Sequence, residues 1–312
     1  MSGPVVIVAG PTASGKSALA LALAERFRGE IVNADSMQIY RELPVLTARP
    51  TPADEARVPH HLYGVQSVAE VSSAGTWLKL ALRAIAEIRA RGRLPIVCGG
   101  TGLYLKVLME GIAPVPDVPV ATIDEAKRLY AAEGGEAFRA RLATLDADAA
   151  ERLVAGDRQR LVRAYAVVRA TGRPLGEWHE DQPQTPPLAA RFLTIVLTPE
   201  RAALYARINA RFDAMLDLGT LDEVAALEGR GLDADLPALK ALGVPEFRRH
   251  LAGDCELAEA VEKAKQATRN FAKRQLTWYR HQLAADVAIA DFGGAEAIEH
   301  ACDAVRDFLA VG

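Results

Sequence analysis

The stretch GPTASGKS, residues 10–17, matches the spacing G-x-x-x-x-G-K-[ST] at every fixed position. Gly10 and Gly15 permit a tight turn and a close approach of backbone to ligand. Between them Pro11, Thr12, Ala13 and Ser14 complete a cradle whose N–H groups converge on an anion at a helix N-terminus. Lys16 adds a point charge between phosphates, and the Ser17 hydroxyl suits Mg²⁺. Such a loop takes two linked phosphates, whether of a nucleotide or of another diphosphate. A second chemical candidate is Asp35, in DSMQIY at 35–40, a carboxylate that tops an apolar run near the loop. It can assist a metal or act as a base, and an Asp before a Ser also reads as a turn or helix cap. A P-loop ATPase usually ends another strand in a Mg²⁺-binding aspartate. Here the run Leu94–Cys98 ends instead in Gly99-Gly100-Thr101.

These residues need a scaffold, and the surrounding pattern supplies one. Val5–Ala9 reads as a strand before the loop and Ala18–Phe27 as a helix after it. Strands are expected at Glu30–Ala34 and Leu94–Cys98, with helices at Ala74–Arg91 and from Thr101, as cap, through Glu110. This alternation predicts an α/β fold with a parallel sheet and right-handed crossovers. The rhythm breaks at the proline-rich stretch 113–119, and residues 120–180 are helical only. A second proline-rich break at 182–187 precedes a strand at 191–197, helices over 199–283 and a last strand at 286–290. We therefore expect an α/β core from 1–112 and 189–312, with an all-helical insertion at 113–188.

Two basic elements stand out. QRLVR at 159–163 puts Arg160 and Arg163 on one helical face. From Lys263 to Arg280, six cations (Lys263, Lys265, Arg269, Lys273, Arg274, Arg280) occur with no intervening acid. The spacing predicts a basic face of Lys265, Arg269 and Lys273, and an apolar stripe of Ala267, Phe271 and Trp278. Either element also reads as a plain solvated helix face.

Composition sets the bounds. Of 312 residues, 50% are hydrophobic and 25% charged, enough for a sizeable core. The net charge of −3 means that any nucleic-acid site must be local. Cys98, Cys255 and Cys302 share no C-x-x-C spacing, which argues against a zinc or disulfide framework. No apolar run approaches membrane-spanning length and no signal peptide is visible, so a cytoplasmic protein without membrane contact is expected.

Taken in order, GPTASGKS, NADSMQIY, CGGTGLYLKVLMEGI, DRQRLVRAY and AKRQLTWYR resemble the tRNA dimethylallyltransferase family over nearly the whole chain. The resemblance implies a P-loop NTPase-like core with a tRNA-contacting helical insertion. It implies transfer of a dimethylallyl group from dimethylallyl diphosphate to N6 of the adenosine beside the anticodon, with Mg²⁺. By position, Gly10 to Ser17 would bind the diphosphate, with Ser17 on the metal. Asp35 would be the general base, and Lys16 and Arg211 (in RINARF) would stabilise the leaving group. Thr101 would contact the target nucleotide, and Asp35, Ser36, Met37 and Gln38 would line the base side. Gln159, Arg160, Leu161, Val162 and Arg163, with Lys273 and Arg274, would grip the tRNA anticodon stem-loop. A monomer is expected. The chain departs from the family pattern at Gly243–Glu246 and near Thr122 and Ile123, while His60 and His61 read as structural. The alternatives are an adenylate isopentenyltransferase, a P-loop nucleotide kinase, and a non-catalytic P-loop module.

Overall fold

The structure is a computed structural model and describes residues 3–181 and 185–311. Residues 182–184 of the second proline-rich break lie outside the described residues. The chain divides into two compact units, one built from residues before 110 and after 186, the other from Glu110–Pro186.

The first unit is organised by a six-stranded sheet. Its strands are β1 (Gly3–Ala9), β2 (Gly29–Asn33), β3 (His60–His61), β4 (Leu94–Gly99), β5 (Ala190–Leu197) and β6 (Val287–Ile289). Their spatial order is β3-β2-β4-β1-β5-β6, with every pairing parallel. The sheet is covered on both faces, which is why β1 reads as a continuous apolar run rather than an alternating one. Val5, Ile7 and Ala9 face one core and Val6 and Val8 the other.

One core is closed by α3 (Ala74–Ala90), α4 (Gly102–Glu110), α10 (Arg201–Asp217), α12 (Val244–Leu251) and α13 (Leu257–Gln282). The other is closed by α1 (Lys16–Arg26) and α14 (Ala295–Ala310). A glycine-rich loop between β1 and α1, in a parallel sheet where β1 lies between β4 and β5, is the P-loop NTPase-like arrangement.

The second unit holds the helices α5 (Val120–Glu133), α6 (Gly135–Ala143), α7 (Ala147–Arg152), α8 (Arg158–Thr171) and α9 (Leu175–Glu180). Phe138, Leu142, Leu161 and Tyr165 anchor its own core.

Three sequence expectations change. The strand β3 was not foreseen, because two histidines are too short a run to show a period; their backbones pair with Ile31 and Val32. The last strand is shorter than 286–290, spanning Val287–Ile289, and the Asp286 carboxylate just before it accepts the Thr194 N–H at 2.7 Å. The buried stripe of α13 is Ala264, Lys265, Thr268, Ala272, Gln275 and Tyr279, not Ala267, Phe271 and Trp278. Among the described residues, no helix is long and apolar enough to cross a membrane.

Candidate active site

The loop 10–17 leaves β1 and enters α1 at Gly15, whose φ of 91° lies in the left-handed region that favours glycine. A Cβ there would sit 2.1 Å from the Phe292 carbonyl oxygen, and one on Gly10 would sit 2.6 Å from Ser14 Oγ. Both glycines are thus required by the chain's own packing, and approach to a ligand is not their only reason. Ala13 also has positive φ, 63°. The Thr12 N–H does not join the concavity expected from the sequence: it donates to Gln275 Oε1 at 2.9 Å.

Lys16 is buried, with Nζ 3.4 Å from the Pro11 carbonyl. Burial pulls its pKa down, against the attraction of the Asp35 carboxylate. Arg211, on α10, donates from Nη2 to Thr12 Oγ1 at 2.6 Å. Burial lowers its pKa to about 10, again opposed by Asp35 and reinforced by neighbouring Arg207. Ser14 Oγ and Arg211 Nε are buried with no hydrogen-bond partner among the described residues. Buried polar atoms left unpaired beside a buried lysine and a half-buried arginine are what an anion-binding cradle presents.

Asp35 follows β2. Its N–H donates to Asn33 Oδ1 at 2.8 Å, and its own Oδ1 accepts the Met37 N–H at 2.9 Å. The turn reading of Asp-Ser therefore holds for one carboxylate oxygen. The other, Oδ2, lies 3.6 Å from where a Cβ on Gly100 would be. The Thr101 hydroxyl accepts the Ser36 N–H at 2.9 Å and donates to Ser36 Oγ at 3.2 Å, so it ties the Asp35 loop to the loop after β4. Backbone bonds Ala34 N to Cys98 O and Thr101 N to Ala34 O continue that seam. Met37 is half-buried. Gln38 is buried and its amide nitrogen is committed to the Thr47 and Ala48 carbonyls at 2.8 and 3.0 Å, so it braces the loop rather than offering a donor to a base.

Ser17 is exposed in the first turn of α1. Its hydroxyl bonds Cys98, whose thiol burial pushes up to about 11, with Lys16 opposing and Asp35 adding to the rise. Among the described residues, no group of three His, Cys, Asp or Glu could hold a metal by itself. A serine hydroxyl and a carboxylate that both act on Cys98 nevertheless fit Mg²⁺, which keeps waters and takes much of its shell from substrate phosphates.

Two residues of the AKRQLTWYR stretch, to which sequence reasoning gave no role at the site, complete the centre; Tyr279 is buried, as its core reading expects. Gln275 Nε2 donates to the Gly100 carbonyl at 2.8 Å, and the Tyr279 hydroxyl lies 3.2 Å from Gly10 O and 3.0 Å from Gly100 O. Arg207, one turn before Arg211 at the spacing visible in RINARF, lies 4.8 Å over the Phe292 ring. Only the i, i+4 arginine spacing hinted at it.

The basic run of α13 separates into bound and free cations. Lys265 is buried and paired with Asp213 at 2.7 Å and Glu262 at 3.3 Å, and Arg269 donates to Asn209 at 2.6 Å. This corrects the expected phosphate-facing row of Lys265, Arg269 and Lys273. Lys273, Arg274 and Arg280 are exposed and form no ion pair among the described residues. Lys273 and Arg280, with Arg201, border a cavity of about 580 Å³ floored by Tyr279. Lys273 and Arg274 border a second groove with Trp278, whose ring packs on Gly102.

In the second unit, Gln159, Arg160 and Arg163 are exposed on α8. Leu161 and Val162, expected beside them on the tRNA, are core residues instead, 0% and 8% exposed. The helix period turns those two positions inward. Gly243 caps α12 with φ of 96°, Val244 is buried, and Thr122 and Ile123 lie in α5.

With this geometry in hand, the similarities are informative. The IPP transferase family model matches residues 38–282, and the isopentenyl transferase model matches 3–63. The tRNA dimethylallyltransferase of Rhodospirillum centenum is 56% identical over 282 residues, 90% of each chain. That of Rhodospirillum rubrum is 55% identical, covering 93% of this chain and 89% of its own. Among solved structures, the full-length tRNA isopentenylpyrophosphate transferase of Bacillus halodurans matches with a TM-score of 0.71 at 32% identity, over 98% of this chain and 96% of its own. A eukaryotic dimethylallyltransferase acting on tRNA matches with a TM-score of 0.84 at 26% identity, over 99% of this chain and 80% of its own. The glycine-rich loop between β1 and α1 and this similarity over nine-tenths of the chain lead to one conclusion: the chain belongs to the tRNA dimethylallyltransferase family.

Proposed function

We infer that this chain transfers a dimethylallyl group from dimethylallyl diphosphate to N6 of the adenosine beside the anticodon of tRNA, forming N6-dimethylallyladenosine. The observation that carries the reading is geometric: one point above Gly100 lies 3.5 Å from the Gly10 carbonyl and 3.6 Å from Asp35 Oδ2, so the carboxylate and the loop 10–17 meet there. One centre then holds a base for the acceptor and cations for the leaving group.

The diphosphate lies on the loop 10–17, against Lys16, Arg211 and the loop N–H groups that remain free. Ser17 would hold Mg²⁺, which would supply neutralisation of the charge gathered on the leaving group. An exocyclic amine is a weak nucleophile because its lone pair is delocalised into the ring. As the N6–C1 bond forms and the C1–O bond breaks, Asp35 takes the N6 proton and the bonding pair leaves with the diphosphate. Lys16 and Arg211 stabilise the charge gathered there.

Reaching N6 requires the adenosine to leave its stack. Thr101, Ser36 and Met37 receive it beside Asp35. Lys273 and Arg274, and on the other unit Gln159, Arg160 and Arg163, contact the anticodon stem-loop backbone. We place the enzyme in the cytoplasm, acting as a monomer. The deciding experiment incubates the protein with labelled dimethylallyl diphosphate and either tRNA or AMP. Label on tRNA is expected. Label on AMP alone would indicate an adenylate isopentenyltransferase, and label on neither would remove the reading.

A further inference from the structure

We propose that Gln275 and Tyr279 are positioning residues for this transfer, a clamp on one face of α13 that sets the distance between the diphosphate loop and the loop carrying Thr101. The proposal rests on the prenyl-transfer reading above.

The clamp is formed by two residues one helical turn apart. Gln275 Oε1 accepts the Thr12 N–H at 2.9 Å while its Nε2 donates to the Gly100 carbonyl at 2.8 Å. A backbone donor on one side and a backbone acceptor on the other leave only one orientation of the amide. The Tyr279 hydroxyl sits between Gly10 O and Gly100 O. Burial raises its pKa well above the ordinary value, so it stays a donor. Gln275 is 6% exposed and Tyr279 3%. The fit leaves no slack: a Cβ on Gly100 would lie 2.5 Å from Gln275 Nε2.

What the clamp holds gives it a consequence for the reaction. Thr12 carries the hydroxyl that accepts from Arg211. Gly100 precedes Thr101, whose hydroxyl holds Ser36 beside Asp35. A single connected path thus runs from Arg211 through Thr12, Gln275, Gly100, Thr101 and Ser36 to Asp35. Its ends are the group that stabilises the leaving diphosphate and the group that takes the acceptor's proton. Displacements of about 1 Å between such groups cost about 10²-fold in rate even when both substrates still bind. The opposite side of the same helix presents Lys273 and Arg274 to solvent.

The test measures single-turnover transfer from labelled dimethylallyl diphosphate to an anticodon stem-loop RNA at saturating concentrations. The Kd of each substrate and the Tm are measured alongside. Tyr279→Phe keeps the ring and removes the hydroxyl; Gln275→Leu keeps the bulk and removes both hydrogen bonds. Slowing of about tenfold or more for the first and about 10²-fold for the second is expected, with Kd values changed less than about threefold. Full-rate transfer by both variants would overturn the clamp, as would slowing matched by an equal loss of affinity or an equal fall in Tm-limited folded fraction. If Gln275→Leu does not fold, Tyr279→Phe decides alone. No transfer by the unaltered chain would overturn the functional reading, and the clamp with it.

Discussion

Arg211 donates to the Thr12 hydroxyl at 2.6 Å, across 199 residues of sequence. The contact brings a half-buried guanidinium from α10 onto the loop 10–17, and leaves its Nε without a hydrogen-bond partner among the described residues. A cation held this way is aimed before the substrate arrives. Arg211→Lys keeps a charge but loses the fork that reaches both Thr12 and an anion. We expect turnover to fall by about 10²-fold, with RNA affinity unchanged. Turnover within a few-fold of the unaltered enzyme would remove Arg211 from the leaving-group site.

Asp35 spends Oδ1 on the Met37 N–H. Asp35→Ala therefore removes both a turn bond and the proposed base. Turnover should drop by about 10²-fold or more while tRNA binding largely survives, because the proposed phosphate contacts are made by other residues. Filter binding beside a turnover assay checks this, and unchanged turnover would cancel the base assignment.

Strand β4 ends in Gly99, not in a carboxylate, so the usual second ligand of an ATP-bound metal is missing from that strand. Dimethylallyl diphosphate with Mg²⁺ should therefore raise the Tm more than ATP with Mg²⁺ at equal concentration. A ligand at a hundred times its Kd stabilises by about 2.7 kcal/mol, enough to read by calorimetry. A larger shift with ATP would favour a kinase.

The cations of α13 should behave differently from one another. Lys273 is exposed and unpaired among the described residues, whereas Lys265 is buried against Asp213. Lys273→Ala should flatten the dependence of log Kd for tRNA on log salt by about one. Lys265→Ala should leave that slope alone and lower stability instead. The reverse pattern would show that the ion pair has been misassigned.

Glu30 tests the pH dependence of the fold. Burial alone would raise its pKa, but hydrogen bonds from Arg91 at 2.7 Å and from His61 at 2.7 Å outweigh this and hold it below the usual carboxylate value. A lowered folded pKa contributes stability above the unfolded value, near 4.3, that is lost as pH falls through the folded one. Glu30→Gln should cost about 1–3 kcal/mol at neutral pH, a figure discounted because Arg91 is half exposed. Denaturant melts should show the difference narrowing below about pH 4. A constant difference at every pH would exclude ionisation as its source.

Local pattern was enough for much of the fold. The strand–loop–helix around GPTASGKS, the parallel sheet and the helical run after the proline break all follow from short-range spacing, because apolar periodicity and glycine breaks act within a few residues. The same local rules failed for β3, a strand of two histidines held only by its neighbour. They also misplaced the apolar stripe of α13, where a helix among partners on several sides buries Lys265, Thr268 and Gln275 as readily as alanine.

Residue types alone pointed to a phosphate cradle, a nearby carboxylate and a basic helix. Which groups of the cradle are free for a ligand is a different matter. The Thr12 N–H is taken by Gln275, 263 residues away, and Gly10 and Gly100 meet at a tyrosine hydroxyl. Hydrogen bonds between such distant positions leave no periodic trace in the chain, and only the folded sheet brings their partners within 3.2 Å of one another.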